Sequence, residues 1–148
     1  MSGARPVIKQ DIPFRSDEEI LEMVTRFEQC RWPSERWTHR AHLAVAVVYL
    51  RQYPFTAAER LVKRNIQRYN RTCGDPQGYH ETITLFFLRV ISRFLEDLAA
   101  DRSIVEIVDE LARRCDMARL REYYSPERLW SAEARGAWIE PDLKPLDF

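Results

Sequence analysis

The chain has 148 residues, 45% hydrophobic and 31% charged, with only four glycines; that is one domain's worth of sequence with enough apolar mass for a real core, and it excludes a disordered or low-complexity chain. Lys+Arg and Asp+Glu balance at 23 each, which excludes a global field that would recruit nucleic acid or an anionic membrane.

Residues 1–15 carry no apolar run of signal-peptide length and read as an extended lead-in. Ser16 with Glu19 has capping-box spacing, and Ile20, Met23, Val24 and Phe27 recur at helical intervals. A first helix is therefore predicted from about Asp17 to Cys30, ended by Arg31-Trp32-Pro33. Thr38 can cap a second helix whose interior, Leu43 to Leu50, is apolar nearly all round, the pattern of a central helix covered by neighbours. Pro54 stops it, and Thr56 with Glu59 forms another capping box for a third helix to about Arg71, with Leu61, Val62, Ile66 and Tyr69 inward.

Cys73 to Gly78 reads as a loop, and a fourth helix follows from about His80 to Ala100, with Ile83, Phe86, Phe87, Val90, Ile91 and Phe94 on a broad apolar stripe. Ser103 with Glu106 opens a fifth, ending near Cys115. Beyond it, Ser125-Pro126-Glu127 and Ser131-Ala132-Glu133 look like caps of short helical turns, and the proline-rich segment 137–148 reads as a strap over the bundle, pinned by Trp130 and Trp138. No period-2 strand pattern and no internal repeat occurs. The expected fold is all-α: residues 1–148 form a single helical domain, an up-down bundle of about five main helices with short C-terminal helices and an extended strap.

Cys30, Cys73 and Cys115 are odd in number and widely spaced, with no CxxC pair. A disulfide framework is not expected, and a reducing, cytoplasmic setting is. No apolar run reaches the roughly 18 residues of a membrane span, so no membrane partner is expected.

All three histidines fall in two motifs, WTHRAHL and GYHETIT. Short connections favour antiparallel neighbours, so the second and fourth helices run parallel with both N-termini at one pole. His39 and His42 lie in the first turn of one and His80 in the first turn of the other, and helical spacing points them inward. The expected result is a pocket lined by His39, His42, His80, Glu81 and Thr84, floored by aromatics and closed by Tyr123 and Tyr124.

Three imidazoles would suit a divalent transition metal, Zn²⁺ or Fe²⁺, with His39, His42 and His80 as ligands and Glu81 adding a carboxylate. Two features oppose this. Helix N-termini repel a cation, and His80 and Glu81 project about 100° apart on an ideal helix. The plainer alternative has the histidines bonding backbone groups. On the third helix Arg60, Arg64, Arg68 and Arg71, with Lys63, form a basic stripe that could hold phosphate or nucleic acid; a solvated face is the simpler reading, and no groove-reading motif accompanies it.

The blocks WTHRAHL, YHETIT and YYSPERL together resemble an uncharacterised family of small bacterial proteins that share HxxHL, YHETxT and YYSPERL blocks, over about residues 30 to 146. The resemblance implies a small bacterial domain and groups His39, His42, His80, Glu81, Tyr123, Tyr124, Ser125, Arg128 and Arg135 as one candidate site. It assigns no reaction.

Three functions stay open from sequence. The first is a small-molecule enzyme using general acid-base or metal-assisted chemistry, with His39, His42, His80 and Glu81 catalytic and Thr84, Tyr123, Tyr124, Arg128 and Arg135 binding substrate. The second is a non-catalytic module that binds a small ligand or a protein. The third is a structural protein whose polar cluster ties the strap down. A small-molecule ligand is the expected partner, and monomer or homodimer the expected state.

Overall fold

The computed structural model describes residues 7–148; of the lead-in expected over 1–15, residues 1–6 lie outside the described residues, and 7–15 contain no helix. Among the described residues the protein is all-helical, with no strand. Five main helices follow in chain order: α1 (Asp17–Glu28), α2 (His39–Gln52), α3 (Phe55–Thr72), α4 (Glu81–Glu96) and α5 (Ile104–Arg114). Three short ones, α6 (Met117–Arg121), α7 (Pro126–Leu129) and α8 (Ala132–Gly136), precede the C-terminal strap.

The caps explain most boundaries. Ser16, Thr38, Ser103, Ser125 and Ser131 each accept a hydrogen bond from a first-turn amide, as their sequence positions predict. Three expectations are corrected. Helix α1 ends at Glu28 because Cys30 turns left-handed, at φ 56°, and Arg31 N–H reaches back to the Arg26 carbonyl at 2.7 Å. That Schellman closure usually takes glycine at the left-handed position. Helix α3 starts at Phe55 behind Pro54 and has no side-chain cap bond, so Thr56 is not its cap. Helix α4 stops at Glu96, not Ala100; Arg51 of α2 holds the chain beyond it, bonding the carbonyls of Ala100 and Arg102 at 2.9 Å each. Helix α6 and a 3-10 turn at Ser34–Arg36 were not expected; Asp116 makes α6 possible by capping two of its amides.

Helix α2 touches α1, α3, α4 and α5, which is why Leu43 to Tyr49 are all buried. The direction of each helix can be read from its ends. The carboxylate of Asp17, at the start of α1, accepts the Ile104 and Val105 amides at the start of α5, at 3.2 and 3.0 Å. At the opposite pole, His39 in the first turn of α2 meets Cys115 at the end of α5, and Cys73 at the end of α3 meets Cys30 just past α1. The N-termini of α2 and α4 share this second pole, as the up-down order requires.

The strap lies along α4. Thr82, fully buried, shares its one hydroxyl proton between the Ala134 and Ala137 carbonyls, at 2.7 and 2.8 Å, and accepts from Ile139 N–H at 3.3 Å. Trp138 sits under the Arg89 guanidinium, 4.0 Å from the ring centroid. Trp130 is no pin: it is 53% exposed, edge-on to His80. Replacing Thr82 with the isosteric valine orphans two carbonyls and one amide; Ala137 is exposed enough for water to replace one bond, so a loss of about 2 kcal/mol is expected. A urea midpoint within error of wild type would show that Thr82 does not hold the strap.

Candidate functional site

Each histidine is anchored by a backbone carbonyl. His39 Nε2 stands 2.5 Å from the Cys115 carbonyl, His42 Nδ1 2.7 Å from the Thr38 carbonyl, and His80 Nε2 2.7 Å from the Leu129 carbonyl. A carbonyl only accepts, so the nitrogen facing it carries the proton and the tautomer is set. His80 also accepts the Ile83 amide on Nδ1 at 3.2 Å, making it the N-cap of α4, and both of its nitrogens are engaged. Burial lowers its pKa, and the charge of Arg135 lowers it further.

His42 differs. One face of its ring stacks on Trp37 at 3.8 Å between centroids, and Nδ1–H is held by Thr38. Nε2 makes no hydrogen bond among the described residues. Burial pushes the pKa down to about 4; the Thr38 bond opposes it, and His39 and Lys9 add smaller downward contributions. At neutral pH His42 is an uncharged acceptor.

Two cavities open beside these rings. The inner one, of about 290 Å³, is walled mainly by Leu43, Ala46, Val62, Phe87, Leu88 and Ile91, with His39 and His42 at its polar end. The outer one, of about 610 Å³, is the more polar of the two, bounded by Asn70, Asp75, Gln77, Tyr79, His80, Trp130 and Arg135. They share His42, Ile66, Ile83, Thr84 and Met117. The two cavities therefore adjoin along these five residues, the neck between them. The sequence places it there: α2 and α4 bring their first turns together, α3 supplies Ile66 and Asn70 from one stripe, and Met117 closes the neck from the start of α6.

The predicted residues divide. His39, His42, His80 and Thr84 reach the cavities, and Arg135 stands at the outer rim, donating to the Gln77 carbonyl at 3.0 Å. Glu81 does not. Its carboxylate pairs with Lys63 of α3 at 2.6 Å and accepts the Tyr79 hydroxyl at 2.6 Å, a clasp between α3 and α4 that lines neither cavity. Tyr123 bonds Asp147, Tyr124 donates to the Ile139 carbonyl at 2.7 Å, and Arg128 reaches the Glu140 carbonyl at 2.5 Å. These three, with Ser125 bonded to Asp142, hold the strap and do not close the pocket.

The residues do not fit the divalent metal that three imidazoles would suit. Among the described residues no group of three His, Cys, Asp or Glu side chains stands together as a ligand set, His80 has no free nitrogen, and Glu81 is on the wrong side of its helix. The basic stripe of α3 is also divided: Lys63 pairs with Glu81, Arg68 bonds the Glu28 carbonyl, and Arg64 leans on Asn65 at 3.4 Å.

Sequence reasoning missed Trp37, Asn70, Met117 and Trp130. Asn70 left a readable signal, a polar residue four after Ile66 on an inward stripe. It is 7% exposed, it lines the outer chamber, and its amide makes no hydrogen bond among the described residues. Met117 and Trp130 left none, because their roles depend on where the C-terminal third folds back. In comparisons with family models, curated proteins and solved structures, none matches the chain.

Proposed function

We propose that this protein binds a small amphipathic molecule, its apolar part in the inner chamber and its polar part in the outer one. The observation that carries the reading is the shared neck: an apolar cavity and a more polar one meet at His42, Ile66, Ile83, Thr84 and Met117, the pattern of a ligand site in which apolar walls supply affinity and few polar groups fix orientation. Binding is favoured over acid-base turnover. A catalyst at neutral pH wants a base titrating near 7 with an orienting partner, whereas His42 is held near 4 with no carboxylate bonded to it, and Glu81 is tied to Lys63 outside the cavity.

Among the described residues no helix is long and apolar enough to cross a membrane. With the balanced charge, the reading includes a cytoplasmic protein of the small bacterial family that its sequence blocks resemble, acting as a monomer or homodimer without nucleic acid.

Anilinonaphthalene sulfonate, with an apolar ring, a bridging N–H and an anionic end for Arg135, is the test probe. Wild type should enhance its fluorescence saturably. Ala46 is 5% exposed on the inner wall, so Ala46→Phe fills the chamber; it should abolish the enhancement and raise stability by about 1 kcal/mol. If the folded variant binds the probe as wild type does, the inner chamber is not the site.

A further inference from the structure

The neck has a hydrogen-bonding polarity. Of the five residues shared by the two chambers, only His42 and Thr84 carry polar side-chain atoms. His42 has its proton on Nδ1, directed at the Thr38 carbonyl 2.7 Å away, so its unbonded Nε2 is a bare lone pair. The Thr84 hydroxyl donates to the His80 carbonyl at 2.8 Å, leaving oxygen lone pairs. No N–H or O–H of these two side chains is left to offer. The ring of His42 cannot present its N–H to the neck without giving up the bond to the Thr38 carbonyl.

From this geometry we infer that the neck selects a neutral ligand bearing an N–H or O–H donor directly on its apolar body, with that donor on His42 Nε2 and the apolar body in the inner chamber. The inference rests on the two-chamber reading above and narrows it to a chemical class: heteroaromatic N–H compounds, phenols and alcohols. A carboxylate at the neck would face only lone pairs, and an ammonium would have to pass Arg135 at the rim; an acidic group belongs further out, beside Arg135. The retained proton on Nδ1 supports the assignment, as does burial holding His42 uncharged at neutral pH. A buried acceptor that meets a ligand without a donor stays unpaired, which is how such sites reject isosteres.

Isothermal titration of the full chain with indole and with benzothiophene, a ring of matching shape that lacks the N–H, tests it. His42→Phe removes the acceptor and keeps a ring against Trp37; the Thr38 carbonyl retains the His42 amide at 3.0 Å. The variant should weaken indole about tenfold relative to benzothiophene. Should it fail to fold, wild type alone gives the same reading, with 1-methylindole binding about tenfold more weakly than indole. Parallel changes for indole and benzothiophene, or equal binding of indole and 1-methylindole, would overturn the donor rule and leave cavity binding standing. If neither indole nor benzothiophene binds wild type, the donor rule falls, and the sulfonate probe with Ala46→Phe decides separately whether the cavity reading falls with it.

Discussion

His80→Ala should destabilise the protein by about 3 kcal/mol, more than any cap substitution normally does, because one side chain performs three tasks. Its Nδ1 caps the Ile83 amide, its Nε2–H satisfies the Leu129 carbonyl of α7, and its 5%-exposed ring fills space against Trp130. The cap alone is worth about 1 kcal/mol; the rest comes from a carbonyl left without its donor and from the hole. His80→Asn separates these contributions. Asparagine is among the best N-caps but is too short to reach Leu129, so about 1 kcal/mol should return. Urea unfolding of the three proteins measures it. Equal losses for Ala and Asn would remove the cap from the account, and a loss for His80→Ala below about 1 kcal/mol would mean that the clasp between α4 and α7 contributes little.

The second large effect is acid sensitivity between pH 6.5 and 4. A histidine whose folded pKa lies below its unfolded value takes up a proton more readily when unfolded, so its contribution is whole above the unfolded pKa and is lost as pH falls towards the folded one. For His42 the limits are 6.5 and about 4, a window that corresponds to about 3 kcal/mol. His80 acts in the same direction, its pKa also lowered by burial. Asp142 and Asp147 are held below 3.8 by Ser125 and Tyr123 and respond at more acid pH. Stability measured from pH 7 to 4 should therefore fall steeply in wild type and less steeply in His42→Phe. Identical slopes would show that His42 is not the group being protonated.

The same geometry changes what the two histidine motifs mean. HxxH at the start of α2 looks like a ligand pair, yet the side chains bond different carbonyls: His42 bonds Thr38 within its own first turn, and His39 bonds Cys115 across the bundle. In YHETIT, every polar residue after the tyrosine serves the fold: His80 caps, Glu81 pairs with Lys63, Thr82 holds the strap and Thr84 bonds back to His80. The block's density reflects a junction where α3, α4, α7, α8 and the strap meet. Only the edges of it that are left over, Thr84 Oγ1 and the rim beside His80, face the cavity.

What could be read without tertiary structure were features whose causes are local. A cap residue and the first-turn amide it accepts are three positions apart, so Ser16, Thr38, Ser103, Ser125 and Ser131 mark helix starts in the chain itself. The apolar run from Leu43 to Tyr49 marks the central helix, and short connections bring the α2 and α4 starts to one pole. The direction in which a polar side chain points once it arrives there is set by partners distant in sequence. Lys63 draws Glu81 away from the histidines, Leu129 engages the second nitrogen of His80, and Ile139 and Asp147 hold Tyr124 and Tyr123 under the strap. Periodicity fixes which face of a helix a residue occupies but not which backbone carbonyl waits opposite it. The five main helices, their order and the pole where the histidines gather were legible in the chain because their causes are local; helix α6 and the carbonyls that anchor the His39 and His80 rings beside the cavities depend on segments brought together only by packing.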